Sequence, residues 1–141
     1  MKPDRSQRSR VAKLLAAAVL CSGSALALAV PVQLEGSQEV PPVQTAAKGS
    51  GEINVAADGS VTGSVTTTGI QGTMAHIHRA APGKNGPVVI PLVAGADGAW
   101  TVPAGAKLDA DQMKAYQAGE LYVNVHSDAH KGGEIRAQIK P

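Results

Sequence analysis

Apolar and polar positions alternate along most of this chain. Ile53 and Val55 alternate with polar neighbours, and Val61, Val65 and Thr67 resume the pattern after Asp58-Gly59. Period two is that of a β-strand, whose successive side chains face opposite sides. Asp-Gly between two such runs predicts a hairpin closed by a type I′ turn, which needs positive φ at both central residues. In Thr73–His78, Ala75 and Ile77 share one face, and Met74, His76 and His78 share the other. Pro82-Gly83 and Asn85-Gly86 make Ala80–Pro87 a loop, and Val88–Val93 reads as a compact apolar strand. Asp97-Gly98 marks a further turn before a short strand at Trp100–Val102, which Pro103 ends.

Glu120–His126 has the clearest alternation, with Leu121, Val123 and Val125 against Tyr122, Asn124 and His126. Glu134–Lys140 repeats it, and Lys131-Gly132-Gly133 between the two predicts an antiparallel hairpin. Near the start, Pro31, Pro41 and Pro42 predict that any strand around Val32–Leu34 is short or lies at a sheet edge. One helix is expected, from Ala110 to Ala118. Asp109 can cap it with Gln112 as the reciprocal partner, Leu108 and Met113 can staple it, and Gly119 stands where a helix-ending glycine belongs. Short strands, frequent glycine and no βαβ rhythm predict an all-β Greek-key sandwich or barrel with one short helix near residues 109–118.

The N-terminus has a different character. Lys2, Arg5, Arg8, Arg10 and Lys13 precede an apolar run from Leu14 to Ala29, with small residues at Ala27 and Ala29. This is the pattern of a secretory signal peptide cut after Ala29. The run is short for a membrane anchor and is interrupted by Ser22-Gly23-Ser24, and bulky Leu20 before Cys21 disfavours a lipoprotein. The expected division is a signal peptide over residues 1–29 and one domain over residues 30–141, with an exported product in the periplasm or outside the cell. Loss of the leader leaves 8 basic and 10 acidic residues, a net charge of −2. With no basic patch interleaved with aromatics, nucleic acid is not an expected partner, and no membrane association is expected after cleavage. The sequence does not identify which protein, if any, is a partner. Cys21, the one cysteine, leaves with the leader, so disulfides and thiolate ligands are excluded. With no Phe, the core must be built from Val, Ile, Leu and Ala.

The candidate chemistry lies in the histidines. All four fall in two short segments, as His76-Ile77-His78 and as His126 and His130. If the aliphatic faces are core faces, His76, His78 and His126 point outward, sheltered only where loops cover them. Imidazoles at i and i+2 on a strand lie about 6.5–7 Å apart at Cα, close enough to converge on one ion. A third from a neighbouring strand would complete an all-nitrogen set suited to Cu(II) or, less well, Zn(II). Met74 on the same face offers a thioether, although packing is the commoner role for methionine. His130 sits in a loop. No nucleophile elbow or phosphate-binding glycine motif is present, and Glu39, Glu52 and Glu134 show no spacing of a carboxylate pair. Arg136 is expected to pair across the sheet.

In Leu34–Pro42, Ala75–His78, Asn85–Val89, Ala118–His126 and Gly132–Gln138, the chain resembles the CHRD (chordin-type) domain, in the form found in exported bacterial proteins. Ala80 and Ala137 depart from that pattern where the family usually has glycine. A more distant resemblance is to copper–zinc superoxide dismutase, a Greek-key β-barrel with copper on its outer face. That resemblance implies His76 and His78 as the paired copper ligands and His126 as the last one, with His130 as a possible fourth nitrogen. It does not extend to a disulfide, a zinc-binding loop or an active-site arginine.

Three functions follow. The first is copper sequestration or handling by an exported domain through His76, His78, His126 and His130, with no catalytic residue. The second is a copper-only, superoxide dismutase-like redox enzyme, and the third is a metal-free structural or interaction module.

Overall fold

Among the described residues, nine antiparallel strands form one sheet, and the segment Val88–Ala94 bends it towards a closed barrel. The computed structural model describes residues 29–141, so the expected signal peptide, apart from Ala29, lies outside the described residues. The strands are β1 (Val30–Glu35), β2 (Lys48–Val55), β3 (Val61–Thr68), β4 (Gly72–Arg79), β5 (Val88–Pro91), β6 (Val93–Ala94), β7 (Ala99–Thr101), β8 (Leu121–Ser127) and β9 (Ile135–Ile139). Their order across the sheet is β5-β4-β8-β9-β1-β2-β3-β7-β6. The outermost strands, β5 and β6, are consecutive pieces of chain separated by Leu92 alone. One continuous segment therefore pairs with β4 through β5 and with β7 through β6, joining the two ends of the sheet. The connections from β3 to β4 and from β7 to β8 skip strands, as a Greek key requires.

Alternation is borne out for the two principal hairpins. β8 and β9 pair from Leu121–Ile139 to Val125–Ile135, and β2 and β3 pair along their full lengths. The turn at Asp58-Gly59 differs from expectation: only Gly59 has positive φ there, in a loop over residues 56–60 held by Asp58 accepting from the Ser60 N–H. Positive φ at two successive positions occurs instead at Asp97-Gly98, between β6 and β7, where Ala99 N–H donates to the Ala96 carbonyl. β1 also corrects the expectation of a short edge strand, because it has six residues and lies between β2 and β9. Its ladder with β9 is the single pair Glu35–Arg136, which leaves Pro31 free of a bonding partner on that side.

Helix α1 (Ala110–Gln117) has the expected capping box, with Asp109 and Gln112 each bonding the other's backbone N–H. Inside the barrel, Leu34, Ile53, Val65, Ile77, Val123, Val125, Ile135 and Ile139 form an aliphatic core, with Trp100 at its margin. β8 lies inside the sheet, between β4 and β9, and is buried at all seven positions, on both its faces. Its outer face is the one that carries the histidine segment. Among the described residues, no helix is long and apolar enough to cross a membrane.

Candidate metal centre

Strand β4 is shaped around its histidine pair. Its register with β8 shifts between Gly72 and Met74, and its register with β5 shifts between Ile77 and His78. Such irregularities re-aim side chains on an otherwise regular face. Across the β4–β8 ladder, Met74 faces His126, His76 faces Asn124 and His78 faces Tyr122. His126 is thus diagonal to His76, within reach of an imidazole. The three rings meet, with centroids 4.9 Å apart for His76–His126, 5.4 Å for His76–His78 and 6.0 Å for His78–His126. One ring nitrogen of each lies within 4.8 Å of the other two, and Nδ1 of His76 is 3.1 Å from Nε2 of His126. Nitrogens that share one ion at a bond length of about 2.0–2.1 Å stand about 3.3–3.6 Å apart. The His76–His126 separation lies just below that value and no pair exceeds 4.8 Å, so small movements of the rings would let the trio hold a metal ion.

Hydrogen bonding fixes the proton positions. Nδ1 of His78 donates to the Gly86 carbonyl at 2.9 Å, and Nδ1 of His126 donates to the Lys131 carbonyl, also at 2.9 Å. A carbonyl only accepts, so both Nδ1 atoms carry hydrogen and each neutral ring has its lone pair on Nε2. Nε2 of His78 is buried without a hydrogen-bond partner. An unpaired buried acceptor is costly, and a metal ion would satisfy it. Backbone carbonyls that hold the distal imidazole nitrogen are the usual outer support of metal-binding histidine.

The surroundings of His76 and His78 favour the neutral ring. Burial, followed by the charges His126 and His78 would carry, holds His76 below the usual histidine range. Burial also lowers His78, aided by His126 and Arg136 and opposed chiefly by the bond to the Gly86 carbonyl. Neutral imidazole is the form that ligates.

A polar layer braces the centre from behind. The His78 ring stacks on Tyr122 with centroids 4.8 Å apart and planes within 3°. The Arg136 guanidinium lies 3.4 Å from the Tyr122 ring centroid, a cation–π contact in a dry site. Arg136 is 1% exposed and donates to the Lys84 carbonyl, Asn85 Oδ1 and Gln138 Oε1. Asn85 in turn donates to the Val40 carbonyl, tying the β4–β5 loop to the segment after β1. Asn124 donates to Glu39, which is 3% exposed and whose carboxyl burial pushes up to about 7. Glu134 accepts from Thr45 and Ser127; these bonds, with the nearby His130, outweigh burial and hold it below the usual carboxylate range.

Three of the expected site residues converge: His76, half-buried, with His78 and His126, both buried. His130 stands outside the trio. It lines a cleft of about 390 Å³ with Glu39, Val40, Asn85 and Gly133, and its backbone N–H donates to Ser127 Oγ. The histidines do occupy the non-core face, covered by loops. Arg136 does pair across the sheet, by stacking on Tyr122, while its hydrogen bonds go to the β4–β5 loop and to Gln138 on its own strand rather than to a carboxylate. Glu39, Tyr122, Asn124 and Glu134 carry structural weight that spacing did not reveal, because their partners lie far away in the chain.

An all-β barrel with three imidazoles converging on its outer face defines a candidate metal-binding β-domain. Residues 30–139 match the family model of the CHRD domain, and the chain belongs to that family. No match was found among curated proteins or among solved structures.

Proposed function

We propose that this CHRD domain is exported and binds copper through His76, His78 and His126, sequestering the ion or handing it on outside the cytoplasm. The observation that carries this reading is the fixed tautomer of the two buried rings. Lys131 and Gly86 hold the Nδ1 protons, and Nε2 of His78 is left buried without a partner. Three nitrogens with no carboxylate or thiolate among them favour copper over harder ions, and copper stands at the top of the divalent affinity order. Bound there, the ion would supply a Lewis-acidic, redox-capable centre.

Handling is favoured over superoxide turnover by the state of Arg136. Its guanidinium is enclosed between Tyr122 and the β4–β5 loop, so it does not steer an anion towards the centre. Cu(II) titration of the purified protein followed by electron paramagnetic resonance tests the reading. A stoichiometric nitrogen-rich signal that disappears in His76→Ala and His126→Ala is the expected result. No such signal, or one unchanged in the variants, overturns it. Superoxide turnover by the loaded protein is expected not to exceed that of free copper.

A further inference from the structure

We propose that the thioether of Met74 is a fourth ligand of this centre, one that lets it hold cuprous as well as cupric copper. The inference rests on the copper reading above and concerns a residue outside the imidazole trio.

Met74 directly faces His126 across the β4–β8 ladder and shares an outer strand face with His76 and His78. Opposed residues in an antiparallel pair stand about 4.5–5.5 Å apart at Cα, with side chains on the same side of the sheet. Met74 continues the register that sets His76 opposite Asn124 and His78 opposite Tyr122; the shift lies before it, where Thr73 donates to the His126 carbonyl.

Packing does not account for the residue. Met74 is 50% exposed and contributes nothing to the aliphatic core. Among the described residues, the exposed large hydrophobic side chains are Met74, Val88 and Val93. All three lie on β4, β5 and β6, and Val88 faces His78 across the β4–β5 ladder. This side of the centre is therefore apolar, and within it the one donor atom is a soft, polarisable sulfur on a flexible stem. Thioether selects Cu(I), whereas imidazole serves both oxidation states. His76, next to Met74 on this face, is also the least buried of the three histidines. Met74 thus stands on the side from which an ion would enter.

The test compares the protein with Met74→Leu, a replacement of similar volume at an exposed position. Cu(I) affinity is measured anaerobically by competition with a chromogenic cuprous chelator, and Cu(II) affinity and paramagnetic resonance are measured in parallel. The expected result is Cu(I) binding weaker by about tenfold in Met74→Leu, with Cu(II) parameters unchanged. The same change lowers the Cu(II)/Cu(I) midpoint potential by about 59 mV. X-ray absorption of the cuprous protein should show a copper–sulfur distance that the variant lacks. Equal Cu(I) affinity in the two proteins, or a cuprous protein without sulfur scattering, overturns the inference while a nitrogen-rich Cu(II) signal leaves the trio standing. Absence of Cu(II) binding in the unaltered protein removes both.

Discussion

Nδ1 of His126 donates to the Lys131 carbonyl across 2.9 Å, so the hairpin loop after β8 sets the orientation of a ring carried by β8 itself. The same loop passes through Gly133, where φ is +125° and an added Cβ would fall on Glu39 Oε1 and Asn124 Nδ2. Metal-ligand orientation, loop path and the buried carboxyl behind the site are thereby linked.

Gly133→Ala should accordingly damage the centre without touching a ligand. The backbone conformation is one that side chains resist, and the Glu39–Asn124 pair must move. A loss of about 1–3 kcal/mol in stability is expected, together with Cu(II) binding weaker by about 10–100-fold as the Lys131 carbonyl shifts. Urea unfolding and copper titration measure the two effects. A variant that unfolds earlier yet binds copper normally would separate the loop from the ligand.

Alanine replacement of each histidine should divide the four. His76→Ala, His78→Ala and His126→Ala each remove one of three converging nitrogens, and each should weaken Cu(II) binding by about 100-fold or more. His130→Ala should leave affinity within about threefold, because His130 lies in the neighbouring cleft rather than with the trio. Isothermal titration of the four variants decides it. A loss in His130→Ala equal to the others would make it a ligand after movement of the loop.

Arg136→Leu should loosen the cover over His78. The guanidinium stacks on Tyr122 and holds the Lys84 carbonyl and Asn85, and Tyr122 in turn backs the His78 ring. Losing charge-assisted bonds and leaving buried acceptors unmet should cost about 2–4 kcal/mol. Amide exchange of Arg79, whose N–H donates to the Pro87 carbonyl at the loop base, should accelerate. Unchanged exchange there would mean that the loop is held by other contacts.

Local rules made much of this architecture legible. The capping box at Asp109 and Gln112, the alternation in β4, β8 and β9, and the outward direction of the histidines are properties of neighbouring residues. The covering of that outward face is not local. It depends on Asn85 reaching Val40, Arg136 reaching Lys84 and Asn124 reaching Glu39, separations of 45, 52 and 85 residues. For that reason Leu121–Ser127 reads as a half-exposed strand yet is buried throughout. The same distance hid Glu39, an unremarkable residue two positions before Pro41-Pro42. Pro31 misled in the other direction, since proline excludes a ladder bond but not a place inside a sheet whose ladder is incomplete.

Glu39 gives the sharpest pH dependence. Burial pushes its carboxyl up to about 7 from an ordinary 4.5, against the opposing Asn124 bond, Arg136 charge and Val40 backbone N–H. In the unfolded chain it titrates near the ordinary value. Between those limits the folded protein holds a proton that the unfolded chain has released, so stability declines as pH rises from about 4.5 through 7. The full effect is on the order of 3 kcal/mol. His76 and His78 act in the opposite sense: their folded values lie below the ordinary one, so their contribution is lost as pH falls below it. The difference between the protein and Glu39→Gln isolates the carboxyl, because the histidines are common to both. With metal removed by chelation, urea unfolding at pH 5 should give nearly equal stabilities. At pH 8 Glu39→Gln should be the more stable by about 2–3 kcal/mol. Parallel stability curves across that range would show that Glu39 ionises in the folded protein as it does in the unfolded chain.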